Sequence, residues 1–167
     1  GLENVKPQKT PFCASVKLSR AMYDPDKDSK FMTEKKKNIR PIIGCLHWTI
    51  HPKEEIRATL SRLASLIDYF GENCWKALMW LCGYIRATIN DGYRLYAKSW
   101  DRLLLGFSDS GLTSNPDNGK NRGGHIIFVM ENPICSISVE QSVAALSTTE
   151  AETIELLRMM KLLIWFI

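Results

Sequence analysis

The chain has 167 residues, of which 45% are hydrophobic and 24% charged, and its formal net charge is +4. That length suits one domain or two small ones, and the composition excludes a disordered or fibrous chain. The modest positive charge permits a nucleic-acid partner without arguing for one by itself. The 5 cysteines are odd in number and scattered, with no Cys-x-x-Cys pair. This argues against a disulfide framework or zinc knuckle and suits reduced intracellular thiols. His47 and His51 have helical ligand spacing, but Pro52 follows and the glutamate of a zinc-protease helix is missing. No apolar signal segment opens the chain, and the apolar end from Leu162 to Ile167 is too short for a membrane span.

In chain order, residues 1–40 carry Pro7, Pro11 and Pro25 without sustained periodicity and read as mostly loop. Lys35, Lys36 and Lys37 with Arg40 form a basic run, either a solvated loop or a phosphate contact. The apolar run from Ile42 to Leu46 suits a helix start or a buried strand equally. A helix is predicted from about Pro52 to Phe70, with Ile56, Leu60, Leu63, Ile67 and Phe70 on one stripe and Gly71 as its stop. A second is predicted from Asn73 to Ile89, with Trp75, Leu78, Cys82, Ile85 and Ile89 as its stripe, widened by Met79 and Leu81. Gly83 inside it costs roughly 1 kcal/mol relative to Ala without visible gain.

Asn90-Asp91-Gly92 reads as a turn and Tyr93 to Tyr96 as a short alternating strand. A boundary is expected near residues 97–102. The remainder reads as strand, polar loop, strand, short strand and helix. The first strand runs from Leu103 to Asp109, and the second covers Ile126 to Met130. Ser147 and Glu150 have capping-box spacing before the last helix. Glu152, Glu155, Arg158 and Lys161 form a narrow polar stripe on that helix, whose other faces are expected to be buried. Asp109 thus ends a strand and Glu150 opens a helix, one way of bringing two carboxylates to a metal. Ordinary turn and capping roles would explain both residues as well.

Phe107-Ser108-Asp109, Asp117-Asn118 with Lys120, Gly124, Gln141 and the string Ala145-Leu146-Ser147-Thr148-Thr149-Glu150-Ala151-Glu152 resemble the ribonuclease H region of copia-type LTR retrotransposon Pol polyproteins. Upstream, Ile42-Ile43-Gly44-Cys45-Leu46, Trp75-Lys76-Ala77-Leu78, Tyr84 and Thr88 resemble the thumb and connection of the reverse transcriptase. The resemblance implies an α+β chain. Residues 1–100 would form a helical thumb/connection hairpin, and residues 101–167 a truncated ribonuclease H-like mixed sheet with one helix. It implies Asp109 and Glu150 as catalytic residues and Mg²⁺ ligands. Two Mg²⁺ ions roughly 4 Å apart would activate water and stabilise the leaving oxygen.

Further acids of that family lie on later elements, so this segment is expected to be inactive alone. Departures in short motifs, such as Thr153 for a tyrosine and His125 for a tyrosine, suggest a degenerate copy. Implied partners are an RNA–DNA hybrid or template–primer duplex and the remainder of the polyprotein, with no membrane and with self-association through an uncovered helix face. The implied compartment is the cytoplasm. Phosphate contacts would fall to Lys35, Lys36, Lys37, Arg57, Arg62, Lys76 and Arg86. The competing readings are a non-enzymatic nucleic-acid-binding relic and a helical protein-interaction module.

Overall fold

The computed structural model describes residues 4–34, 39–96, 103–112 and 115–167. It divides into two compact units, residues 1–93 and 94–167. The expected boundary at 97–102 lies outside the described residues. The chain is α+β, as its sequence implies, with helices in the first unit and a sheet with one helix in the second.

The first unit contains helices α1 (Pro25–Glu34), α2 (Ile39–Trp48), α3 (Arg57–Ser65) and α4 (Glu72–Ala87). Helix α1 overturns the expectation of loop. Pro25 occupies its first position, where its missing N–H costs nothing. Asp24 caps it, its Oδ1 accepting from the N–H groups of Asp26 at 3.0 Å and Lys27 at 3.3 Å. The open choice at Ile42–Leu46 resolves as helix α2, with Pro41 confined to the first turn.

The single helix expected from Pro52 to Phe70 is broken into three pieces. A 3-10 turn spans Glu54–Ile56, α3 follows, and a second 3-10 turn spans Ile67–Tyr69. The change of pitch at Leu66 carries that side chain into the core with Ile56, Leu60 and Leu63, all fully buried, while Ile67 turns partly outward.

Gly71 is not a helix stop but the residue before α4, in extended conformation. A side chain there would collide with the Asp28 carboxyl group. That carboxylate accepts from the N–H of Glu72 at 2.9 Å, placing a negative charge at the positive end of α4. Helix α4 buries Cys74, Ala77, Leu78, Leu81 and Cys82. The expected stripe is therefore displaced: Trp75 and Ile85 are only partly buried and Ile89 is exposed.

The reason lies in the N-terminal segment, which is strapped along α4. Gln8 N–H donates to Gly83 O, Trp80 Nε1 donates to Thr10 O at 2.9 Å, and Arg86 donates to Val5 O at 2.7 Å. Gly83 lets the strap approach, since a Cβ would collide with Lys6 O. Its gain is thus visible only in the fold. Lys53 is buried and its ammonium donates to Thr88 O and Asp91 O, closing the C-terminal end of α4.

The second unit is an antiparallel meander, β1 (Leu104–Gly111), β2 (Arg122–Val129) and β3 (Asn132–Glu140), followed by α5 (Thr148–Trp165). All described pairings are antiparallel, which corrects the expected mixed sheet. Met130 belongs to the β2–β3 turn rather than to a strand. Met130 and Glu131 both take positive φ, the geometry of a tight hairpin. Tyr93 to Tyr96 form no strand. Instead Tyr96 N–H donates to Asn132 Oδ1 at 2.8 Å, and Asn132 Nδ2 donates to Tyr96 O at 2.7 Å.

Helix α5 packs on β1 and β2. It sits close to the sheet because β1 and β2 offer glycine on the covered face. A Cβ on Gly106 would lie 2.6 Å from Met159 Sδ, and one on Gly123 would collide with the Glu155 carboxylate. The expected polar stripe is inverted at its centre. Glu155 is wholly buried, whereas Leu156, Leu157 and Met160 are exposed. No described helix is long and apolar enough to cross a membrane.

Candidate functional site

Asp109 lies near the end of β1, opposite Gly124 of β2, and is exposed. Its neighbour Ser110 is buried and accepts from Gln141 Nε2 at 3.1 Å, which also donates to Ala151 O of α5 at 2.8 Å. Side chains alternate along a strand, so Asp109 occupies the face turned away from α5. Gln141 therefore ties the strand that carries Asp109 to the first turn of the helix that carries Glu150. The sequence shows Gln141 only as a motif residue; its bridging role emerges from the fold.

Glu150 sits in the first turn of α5 and is exposed. Its N–H donates to Ser147 Oγ at 3.1 Å, the first half of the expected capping box. The second half is shifted by one residue: Glu150 Oε2 accepts from Leu146 N–H at 2.8 Å rather than from Ser147. Asp109 and Glu150 share no hydrogen bond. The described residues contain no group of three or more His, Cys, Asp or Glu side chains able to hold a metal ion. With one oxygen of Glu150 engaged in capping, these two carboxylates do not fit a complete two-Mg²⁺ centre. Such a centre needs several convergent oxygen ligands.

The cations expected to meet phosphate are engaged within the chain wherever they are described. Arg57 pairs with Glu54 at 2.8 Å, and Lys76 pairs with Glu72 at 2.8 Å. Arg62 donates to Leu18 O at 2.7 Å, and Arg86 to Val5 O at 2.7 Å. Hydrogen bonding from Lys76, with its positive charge and that of Lys27, holds the Glu72 carboxyl below the usual range despite some desolvation. Lys35, Lys36 and Lys37 lie outside the described residues.

Two polar assemblies escape a reading of the sequence. His125 Nδ1 lies 2.6 Å from Glu155 Oε1 in the interior, with Arg158 at 3.5 Å from the other carboxylate oxygen. Where β3 ends opposite Arg122 of β2, Asn115 and Asn118 both donate to Glu140, and Gly119 completes their loop with a positive φ. His125 lies thirty positions from Glu155 in sequence, and Asn118 twenty-two from Glu140. No local pattern announces either pairing.

The chain is similar to a retrovirus-related Pol polyprotein from transposon TNT 1-94 of Nicotiana tabacum. The two are 27% identical over 164 residues, covering 98% of this chain. The match spans 12% of that relative's length. No family model matches the chain, and no solved structure does. The similarity supports descent of the chain from a retrotransposon Pol polyprotein.

Proposed function

We propose that the chain is a segment of a copia-type reverse transcriptase and ribonuclease H polyprotein. Residues 1–100 correspond to the thumb and connection, and residues 101–167 to the first half of the ribonuclease H unit. The parent's work would be RNA-directed DNA synthesis and cleavage of the RNA strand in a hybrid. The observation that carries this reading is the meander followed by α5. In it Asp109 lies near the end of the first strand and Glu150 in the first turn of the helix, and the two follow each other along the sequence as the acids of the resembling motif do. Similarity along nearly the whole chain to a Pol polyprotein supports it independently.

The segment is inactive alone in this reading. Two exposed carboxylates, one of them capping a helix, supply too few oxygen ligands for the chemistry. Mg²⁺, where the remaining ligands are present, would supply the activated water. Asp109 and Glu150 would contribute oxygen ligands to it. A labelled RNA–DNA hybrid incubated with the chain and Mg²⁺ or Mn²⁺ should remain intact on a gel. Metal-dependent cleavage abolished by Asp109→Asn would overturn the inactivity. Sequencing the flanking genomic DNA tests the origin. Polymerase aspartate motifs upstream and an acid-bearing strand downstream, intact or interrupted, are expected. Their absence in any frame would remove the reading.

A further inference from the structure

Strand β3 lies at the margin of its sheet: among the described residues it has a hydrogen-bonded neighbour, β2, on one side alone. Such an edge invites a further strand, and proteins guard it with charges, prolines or bulges. Here Pro133 and a bulge at Ile134, which has no opposite residue on β2, guard only the first part of the strand. From Asn132 to Val139 there is no charged side chain. We infer that β3 is a self-association edge, pairing antiparallel with β3 of a second copy of this chain to extend the sheet across both.

Gln141 N–H donates to Asn121 O at 2.8 Å, which fixes the alternation along the ladder. Ile137 and Val139 turn their main chain toward β2, while Ser136 and Ser138 turn theirs toward the outer side. A two-fold axis at Ile137 then sets Ser136 against Ser138 of the second copy as the hydrogen-bonded pair. Their hydroxyls share the face turned away from α5, where cross-strand serines bond one another. On the covered face Ile137 meets its own counterpart, and Cys135 meets Val139 of the second copy. Small apolar groups thus oppose small apolar groups, and no like charges are opposed. Glu140, the acid of the strand, lies outside this pairing and is held by Asn115 and Asn118. Arg122 Nη1 donates to Ser138 O at 3.4 Å, a long contact that a main-chain N–H of the second copy would replace. The strand β1 at the other margin is less suited, because self-pairing would bring its exposed Asp109 toward Asp109 of the second copy. The inference rests on neither the ribonuclease H reading nor the apolar face of α5.

The test uses the whole chain carrying Val139→Cys. Opposed residues of a non-hydrogen-bonded antiparallel pair lie about 4.5 Å apart at Cα, within disulfide reach. Mild oxidation at high micromolar concentration should therefore link Cys135 of one copy to the introduced thiol of the other, a bond located by peptide mass spectrometry. Within one copy these two positions are separated by roughly 13 Å of extended strand, too far to bridge. Ser138→Pro removes an outward N–H without touching the β2 ladder and should cut the yield of this disulfide several-fold, with circular dichroism confirming the fold. Ser136→Lys, which leaves every main-chain group in place, should do the same. Leu157→Lys with Trp165→Lys should leave the link in place. Absence of the disulfide would overturn the inference. So would a disulfide that both β3 variants leave undiminished, or one that only the α5 variant removes, which would assign the contact to that helix.

Discussion

The buried pair of His125 and Glu155 shows how strongly one residue depends on another distant in sequence. Both side chains are nearly inaccessible, and His125 Nε2 has no hydrogen-bond partner among the described residues. Removing one member leaves a polar or charged group without its partner in the interior, at a cost of about 3–5 kcal/mol. Glu155→Leu and His125→Leu alone should each lower the urea midpoint sharply. The double replacement should recover much of the loss, and a double-mutant cycle in urea measures the coupling. Additive losses would show that the pair does not act as a unit.

Glu140 tests electrostatics at the same scale. Partial burial opposes its ionisation, but the amides of Asn115 and Asn118 and the charges of Arg122 and Lys120 prevail and hold its carboxyl below the ordinary value. A depressed folded pKa contributes stability that is full above the unfolded value, near 4.5, and is lost as pH falls through the folded value. Stability should therefore fall on acidification from neutral pH to about pH 3, and Glu140→Gln should flatten that dependence. Urea unfolding of both proteins across this range gives the comparison.

Among the elements, α4 is governed by what lies against it rather than by its own periodicity. The strap along Gly83, Trp80 and Arg86 covers a face that the apolar pattern leaves ambiguous. Helix propensity alone predicts that Gly83→Ala stabilises the helix by about 1 kcal/mol. The close approach of Lys6 O reverses the sign. Gly83→Ala should lower stability by roughly 1–3 kcal/mol, because backbone must shift to admit the methyl group. Thermal unfolding followed by circular dichroism decides between the two signs.

At the scale of the whole molecule, exposed apolar surface sets the expected behaviour in solution. Leu157, Ile164, Trp165 and Ile167 project from the outer side and end of α5, with Trp165 80% and Ile167 96% exposed. Apolar surface of this kind favours association over solvation. Light scattering at micromolar concentration should show oligomers, and Leu157→Lys with Trp165→Lys should shift them toward monomer. A monodisperse wild-type monomer would count against this expectation.

By itself the sequence determined the α+β class, the strands containing Phe107 and Ile126 to Val129, and the cap at Ser147. It also carried the motif resemblance. These are local patterns, written in alternation, capping residues and short strings. Only the tertiary structure decided which face of α4 is buried, why Gly71 and Gly83 are glycine, and that Glu155 lies inside while Leu156 lies outside. It also decided that Arg57, Arg62, Lys76 and Arg86 are held within the chain. Each of these depends on a partner distant in sequence, and a one-dimensional pattern carries no distance between such partners.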